Sequence, residues 1–351
     1  MKKLFVLTEI ILFCLLSSTC VCFEPIMKEL FPNEEPPAAE TVPEQIIENK
    51  NQENQKIRIH SEFDEYKQLN KMETRLMEYK DSDEMLLLKL HQLEYINRSR
   101  STWGVPPVKL DILASRVANR MCREAGENGF TGHWNTRGEK PYHRYAFAGG
   151  TDHVSENASA AWSSAPFVQS LENCQMMMIK SHDNFMAEQA PNDGHKQNCI
   201  NVFHNYAGLG VYLAGGEFRY YEEFIDRYVE FFEIPADVPA GVTDTLSIKP
   251  INNAHHIIAV ISYWEPFPEP LTPREINERG SYPDFTGTQV HSLWPWELEA
   301  FEEDGILEIP LKFSKRGLYY INIYVSDKKY TGGSISTEGS IQASGVVTAV
   351  R

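Results

Sequence analysis

The sequence predicts a mixed α+β domain over residues 82–234 followed by a small all-β domain over 235–351. Three observations carry that reading. Helix-period and strand-period segments mix before residue 234. The composition shifts at Pro235-Ala236-Asp237-Val238-Pro239-Ala240-Gly241. Beyond it, only strand-length apolar runs recur between turn signals. The 351 residues suit two domains, and a hydrophobic fraction of 42% is enough for real cores.

Residues 1–22 read as an export signal. Met1-Lys2-Lys3 is a short positive start, Leu4–Leu16 is apolar except for Thr8 and Glu9, and Ser17, Ser18 and Thr19 supply small residues before cleavage. The run is too short for a stable transmembrane segment. Cys20 and Cys22 raise a lipoprotein signal as the rival, but the residues before them fit a lipobox poorly. Residues 23–81 read as a disordered acidic, Pro-rich linker with too little apolar surface to offset its ordering entropy.

Order is expected from Ser82-Asp83-Glu84, a helix start followed by Leu86, Leu90 and Leu93 at helical spacing. Trp103–Pro107 breaks the pattern, and a second helix is predicted over 111–124. Helix is also predicted over 159–179 and around 182–188. Gly208–Leu213 and Phe218–Phe232 read as two strands paired across Gly215-Gly216. In the last third, 243–248, 257–264, 306–313, 318–325 and 341–350 read as strands of an Ig-like β-sandwich. There Trp264, Trp294 and Trp296 read as sandwich core, with a sugar-stacking platform as the alternative.

A formal net charge of −16 repels phosphate backbones and anionic lipid, so nucleic acid is not an expected partner. Outside the signal the cysteines are Cys122, Cys174 and Cys199, open to one disulfide or to three buried thiols. Asn97 and Asn157 lie in glycosylation sequons that count only in a eukaryotic secretory pathway. No His-Glu-x-x-His, Gly-x-Ser-x-Gly, phosphate loop or Rossmann fingerprint is present.

Four features stand in order in the α+β domain. They are Gly132-His133-Trp134-Asn135, Ser155-Glu156-Asn157 at the entry to the predicted third helix, Phe185-Met186-Ala187-Glu188, and Asp193-Gly194-His195-Lys196-Gln197-Asn198. This set, with Leu209-Gly210-Val211-Tyr212 as the central strand, resembles the CAP superfamily (cysteine-rich secretory protein, antigen 5, pathogenesis-related 1; the SCP domain), in its microbial form, over residues 82–232. A Ser stands at 155 where the family carries Gly.

The resemblance implies a CAP-type α-β-α sandwich in a secreted or extracytoplasmic protein, at a cell surface or in a periplasm. It implies a cleft in which His133 and His195 hold a divalent metal such as Zn²⁺, supported by Glu156 and Glu188. Imidazole nitrogens suit that ion, and neighbouring carboxylates would orient the rings. His143, His153 and His182 read as surface or loop residues. Fold carries little function here. The expected role is a non-catalytic extracellular binding protein for a lipid, glycan or protein ligand. The alternative is a metal-dependent, peptidase-like hydrolase with Glu156 or Glu188 as general base. The β-domain would be a spacer or docking module.

Overall fold

The computed structural model describes residues 62–283 and 288–351; the stretch read as an export signal and most of that read as a linker lie outside the described residues. The described chain is mixed α+β.

Order starts earlier than composition predicts. Helix α1 spans 62–72 and buries Tyr66, whose hydroxyl accepts from the Leu110 amide at 3.1 Å. The buried Arg116 guanidinium donates to the carbonyls of Asn70 at 2.7 Å and Glu73 at 3.0 Å. One cation thus satisfies backbone that lacks an apolar face of its own, which periodicity cannot register.

Helix α2 (Asp83–Thr102) begins as predicted, with the Ser82 hydroxyl accepting from the Met85 amide. Strand β1 is Lys109–Leu110, and α3 (Ile112–Asn128) is capped by Asp111. Next come α4 (Pro141–Phe147) and β2 (His153–Trp162). Strand β2 replaces the first part of the helix predicted over 159–179. Ala158–Ala161 favour helix locally, but pairing with the later strand from His153↔Asp226 to Trp162↔Glu217 overrides that preference. The helix there is α5 (Leu171–Ala187), followed by α6 (Gly194–Cys199).

Strands β3 (Tyr206–Ala214) and β4 (Glu217–Asp226) form the predicted hairpin across Gly215-Gly216. The run to Phe232 is two strands, not one: β5 (Val229–Glu233) leaves this sheet and joins another. The first sheet has the order β1-β3-β4-β2, with β2 at its edge. Residues of α2 and α5 pack on one face with Leu209, Tyr220 and Phe224. Helix α3 packs on the other. Gly208 and Gly210 face it so closely that an added Cβ would lie 2.4 Å and 2.3 Å from atoms of Ala114 and Ala118.

The remaining strands are β6 (Asp237–Val238), β7 (Val242–Pro250), β8 (His256–Glu265), β9 (Thr288–Leu293), β10 (Glu302–Glu303), β11 (Ile306–Phe313), β12 (Gly317–Ser326), β13 (Ile341–Gln342) and β14 (Val346–Val350). Short helices α7 (Pro273–Asn277) and α8 (Pro295–Leu298) interrupt them. One sheet runs β10-β11-β7-β5, the other β6-β14-β12-β8-β9 with β13 beside β12. Leu246, Ile309 and Phe313 from the first meet Val260, Ile321 and Ile323 from the second in one core.

The two parts share a further core, in which Leu113, Val117, Tyr142 and Val154 pack with Leu318, Tyr320 and Val347. The Tyr142 and Tyr320 rings stack at 4.3 Å. Beside them Glu265 accepts from Lys140 Nζ at 2.8 Å and lies 2.7 Å from His143 Nε2. Burial works to raise the Glu265 carboxyl, but His143 and Lys140 outweigh it and hold it at about 2. Glu265→Ala removes the carboxylate set against the buried Lys140 ammonium and the acceptor that holds the His143 ring, so urea unfolding should show a loss of about 3–5 kcal/mol at pH 7. Because this carboxyl is depressed in the folded state, its contribution is complete above the unfolded value near 4.5 and lost as pH falls towards about 2. The variant should lack that part of the acid transition.

Candidate functional site

The edge strand β2 organises the cleft. Its alternation sends Glu156 to the α3 side and Asn157 to the α5 and α6 side. His133 follows α3 in a loop fixed from both sides: the Tyr221 hydroxyl donates to the Gly132 carbonyl at 2.7 Å, and Arg144 Nη1 donates to the His133 carbonyl at 2.5 Å. His133 Nδ1 lies 2.8 Å from Glu156 Oε1. The other Glu156 oxygen accepts from Arg144 Nη2, and both of these side chains are fully buried.

The second pair is built at a helix junction. Glu188 ends α5, its Oε1 lies 2.5 Å from His195 Nδ1, and its Oε2 accepts from the His195 amide at 2.9 Å. The carboxylate therefore orients the ring and caps the start of α6. Phe185 packs its ring 4.9 Å from that of His195, which accounts for the aromatic three residues before Glu188. Asn157 Nδ2 donates to the His195 carbonyl at 3.2 Å and ties α6 to β2.

The structure thus brings His133, Glu156, His195 and Glu188 together, with the two imidazole centroids 6.4 Å apart. Each Nδ1 faces its own carboxylate. As the donor to Glu156, His133 is the Nδ1–H tautomer with an open lone pair on Nε2. Burial, reinforced by the Arg144 charge, lowers His133 to about 4, so the ring is neutral near pH 7.

Sequence reasoning missed Arg144, Glu223 and Tyr282. Glu223 pairs with Glu156 across β4. Burial, then the Glu156 charge, push its carboxyl well up. Its signal was Tyr220-Tyr221-Glu222-Glu223, charge inside an aromatic strand. Tyr282 comes from the β8–β9 connection, 126 residues from Glu156; its hydroxyl accepts from the Glu156 amide at 3.1 Å and its ring lies 4.9 Å from that of His133. No local pattern announces it. The same connection clasps the 131–138 loop, with the Leu271 amide donating to the Thr136 carbonyl and the Thr131 amide to Asn277 Oδ1, both at 2.8 Å.

His143, His153 and His182, expected at the surface or in loops, are buried. Each ring is held by a carboxylate: Glu265, Asp226 and Glu222 respectively. His182, Cys199 and Glu222 place ligand atoms within 4.8 Å of one another, a group that could hold a metal ion. Spacings of 17 and 23 residues gave no motif. Glu222 already accepts from Tyr220 and Asn157 there, and burial, then Glu222, raise the Cys199 thiol well above its ordinary value. Cys122, Cys174 and Cys199 are all free and buried.

Ser155, His204 and Asp226 also line up, with Oγ to Nε2 at 3.3 Å and Nδ1 to Oδ1 at 2.6 Å. They are a brace and not a nucleophile relay. Asn198 donates through Nδ2 to Asn157, so its Oδ1 accepts from both Ser155 at 2.6 Å and His204 Nε2 at 2.9 Å. The Ser155 hydroxyl is thus already given to Asn198 at 2.6 Å, closer than the ring nitrogen at 3.3 Å.

No protein-family model and no curated protein matches the chain. Among solved structures, an extracellular SCP-domain protein from Bacillus anthracis str. Ames is 18% identical over 39% of this chain and 39% of its own, with a TM-score of 0.31. This chain therefore spans about two-fifths of that protein's length. An outer surface protein from Borrelia burgdorferi is 17% identical over 42% of this chain and 94% of its own, also with a TM-score of 0.31.

Gly138 has φ +74°, and an added Cβ would lie 2.1 Å from the Glu269 carbonyl oxygen. Gly138→Ala should therefore loosen the clasp. Hydrogen exchange should rise at least tenfold across 268–283, with the β7–β11 ladder unchanged.

Proposed function

We propose that this chain is a CAP-superfamily protein that works outside the cytoplasm and binds a divalent metal, Zn²⁺ first, between His133 and His195. The observation that carries this is the pair of imidazoles 6.4 Å apart, each with Nδ1 committed to its own glutamate. A neutral ring held in one tautomer by a carboxylate is a metal-ready donor. Glu156 and Glu188 orient the donors and balance charge, and Tyr282 walls the cleft. A Zn²⁺ ion, when bound, supplies a Lewis-acid centre for an anionic or carbonyl group of a ligand.

Binding fits the site better than hydrolysis. Both Glu156 oxygens are committed, to His133 and Arg144. Both Glu188 oxygens are committed to His195. Glu156 is fully buried and so has no water at hand, and Glu188 is spent on orienting His195, which favours binding over general-base work. The ligand class is a lipid, a glycan or a protein surface. Among the described residues no helix is long and apolar enough to cross a membrane.

Isothermal titration of the chain with Zn²⁺ tests this. The wild type should bind one ion, and the double variant His133→Ala, His195→Ala should bind at least tenfold more weakly. Unchanged affinity in that variant contradicts the assignment. Loss of the ion with Cys199→Ala instead would move it to the buried His182, Cys199 and Glu222 group.

A further inference from the structure

We infer a second binding site, in the all-β part, for a neutral glycan that stacks on Trp296. It shares no residue with the His133 cleft and stands whether or not a metal binds there. The three tryptophans expected in the sandwich core separate in the structure. Trp264 and Trp294 are half-buried, and Trp294 packs on the cluster of Ile258, Ile261 and Tyr324. Trp296 is 52% exposed, which leaves much of its indole surface open to solvent. Its ring stacks on Trp294 at 6.3 Å and 19°, and Tyr330 leans towards it at 5.7 Å and 55°.

The platform is tied at two points. Helix α8 starts at Pro295, and the Glu297 carboxylate accepts from the Trp294 amide at 3.0 Å. The Tyr330 hydroxyl donates to the Gly333 carbonyl at 3.0 Å. An indole already stacked on a neighbouring ring has less freedom to lose on binding.

Trp296 is not in the wall of the neighbouring cavity of about 310 Å³, but Pro295 and Tyr330 on either side of it are, together with Asn253, His256, Glu299, Glu302 and Lys329. An aromatic face beside amide, imidazole and carboxylate groups matches a pyranose. The apolar C–H face of the sugar lies on the ring, and its hydroxyls exchange hydrogen bonds with the polar wall. The two glutamates outnumber Lys329 in that wall, and with the net charge of −16 they favour a neutral glycan over an anionic polymer.

Co-sedimentation of the full chain with insoluble cellulose, chitin and β-1,3-glucan tests the inference. At least one polymer should retain the wild type. Trp296→Ala should lower retention at least tenfold with an unchanged unfolding midpoint, because the side chain is exposed, and Trp296→Phe should keep most of it. Retention on none of the three, retention on heparin alone, or wild-type retention by Trp296→Ala would overturn it. So would a loss caused by His133→Ala, His195→Ala with Trp296 intact, which would put the glycan in the other cleft.

Discussion

The buried guanidinium of Arg144 holds the cleft together. It donates to the Glu156 carboxylate and to the carbonyls of His133 and Glu139, and it lies 3.7 Å from Glu223. Burial opposes its charge, but Glu156 and then Glu223 outweigh that and push it further towards the protonated form. A cation without solvent requires a carboxylate, and the carboxylate fixes an imidazole. The position and tautomer of His133 follow from that chain of requirements. The second pair needs no such cation, because Glu188 draws on the amides that open α6. The two histidines are thus set by different physics: one by buried charge, the other by a helix start, with His195 more open to solvent.

The all-β part is not a separate bead. A shared apolar core and the buried Glu265 cluster join it to the α+β part. The β8–β9 connection then returns to the cleft, burying Ile276 beside Met121 and Phe130 and placing Tyr282 over His133. A spacer would leave the cleft complete without it. Here the wall of the cleft comes from both parts, so changes in the later strands reach the site through Tyr282.

Much of this was legible in the sequence, and the failures have physical causes. His133, Glu156, Glu188 and His195 could be named because each sits in a short local pattern. The β3–β4 hairpin was announced by Gly215-Gly216, and β11 by clean alternation. Strand β2 was misread because its alanines favour helix, and only its partner β4 makes it extended. Helix α1 was legible only as some helical character around Leu69 and Met72 within the expected linker, because Arg116, some 45 residues on, supplies its anchorage. Glu223 had only the oddity of charge inside an aromatic strand, and Arg144 and Tyr282 carry no local signature of their contacts. Trp296 was expected in the core with its neighbours, yet a proline-started turn of helix turns it outward.

The central claim is that His133 is a neutral imidazole whose Nδ1 proton belongs to Glu156 and whose Nε2 is left to a metal. Long-range ¹H–¹⁵N correlation of the histidine rings at pH 7 reads this directly. The account predicts a protonated Nδ1 and a bare Nε2 for His133, with the Nε2 resonance moving when Zn²⁺ is added. A protonated Nε2, or an Nε2 resonance indifferent to Zn²⁺, would contradict it.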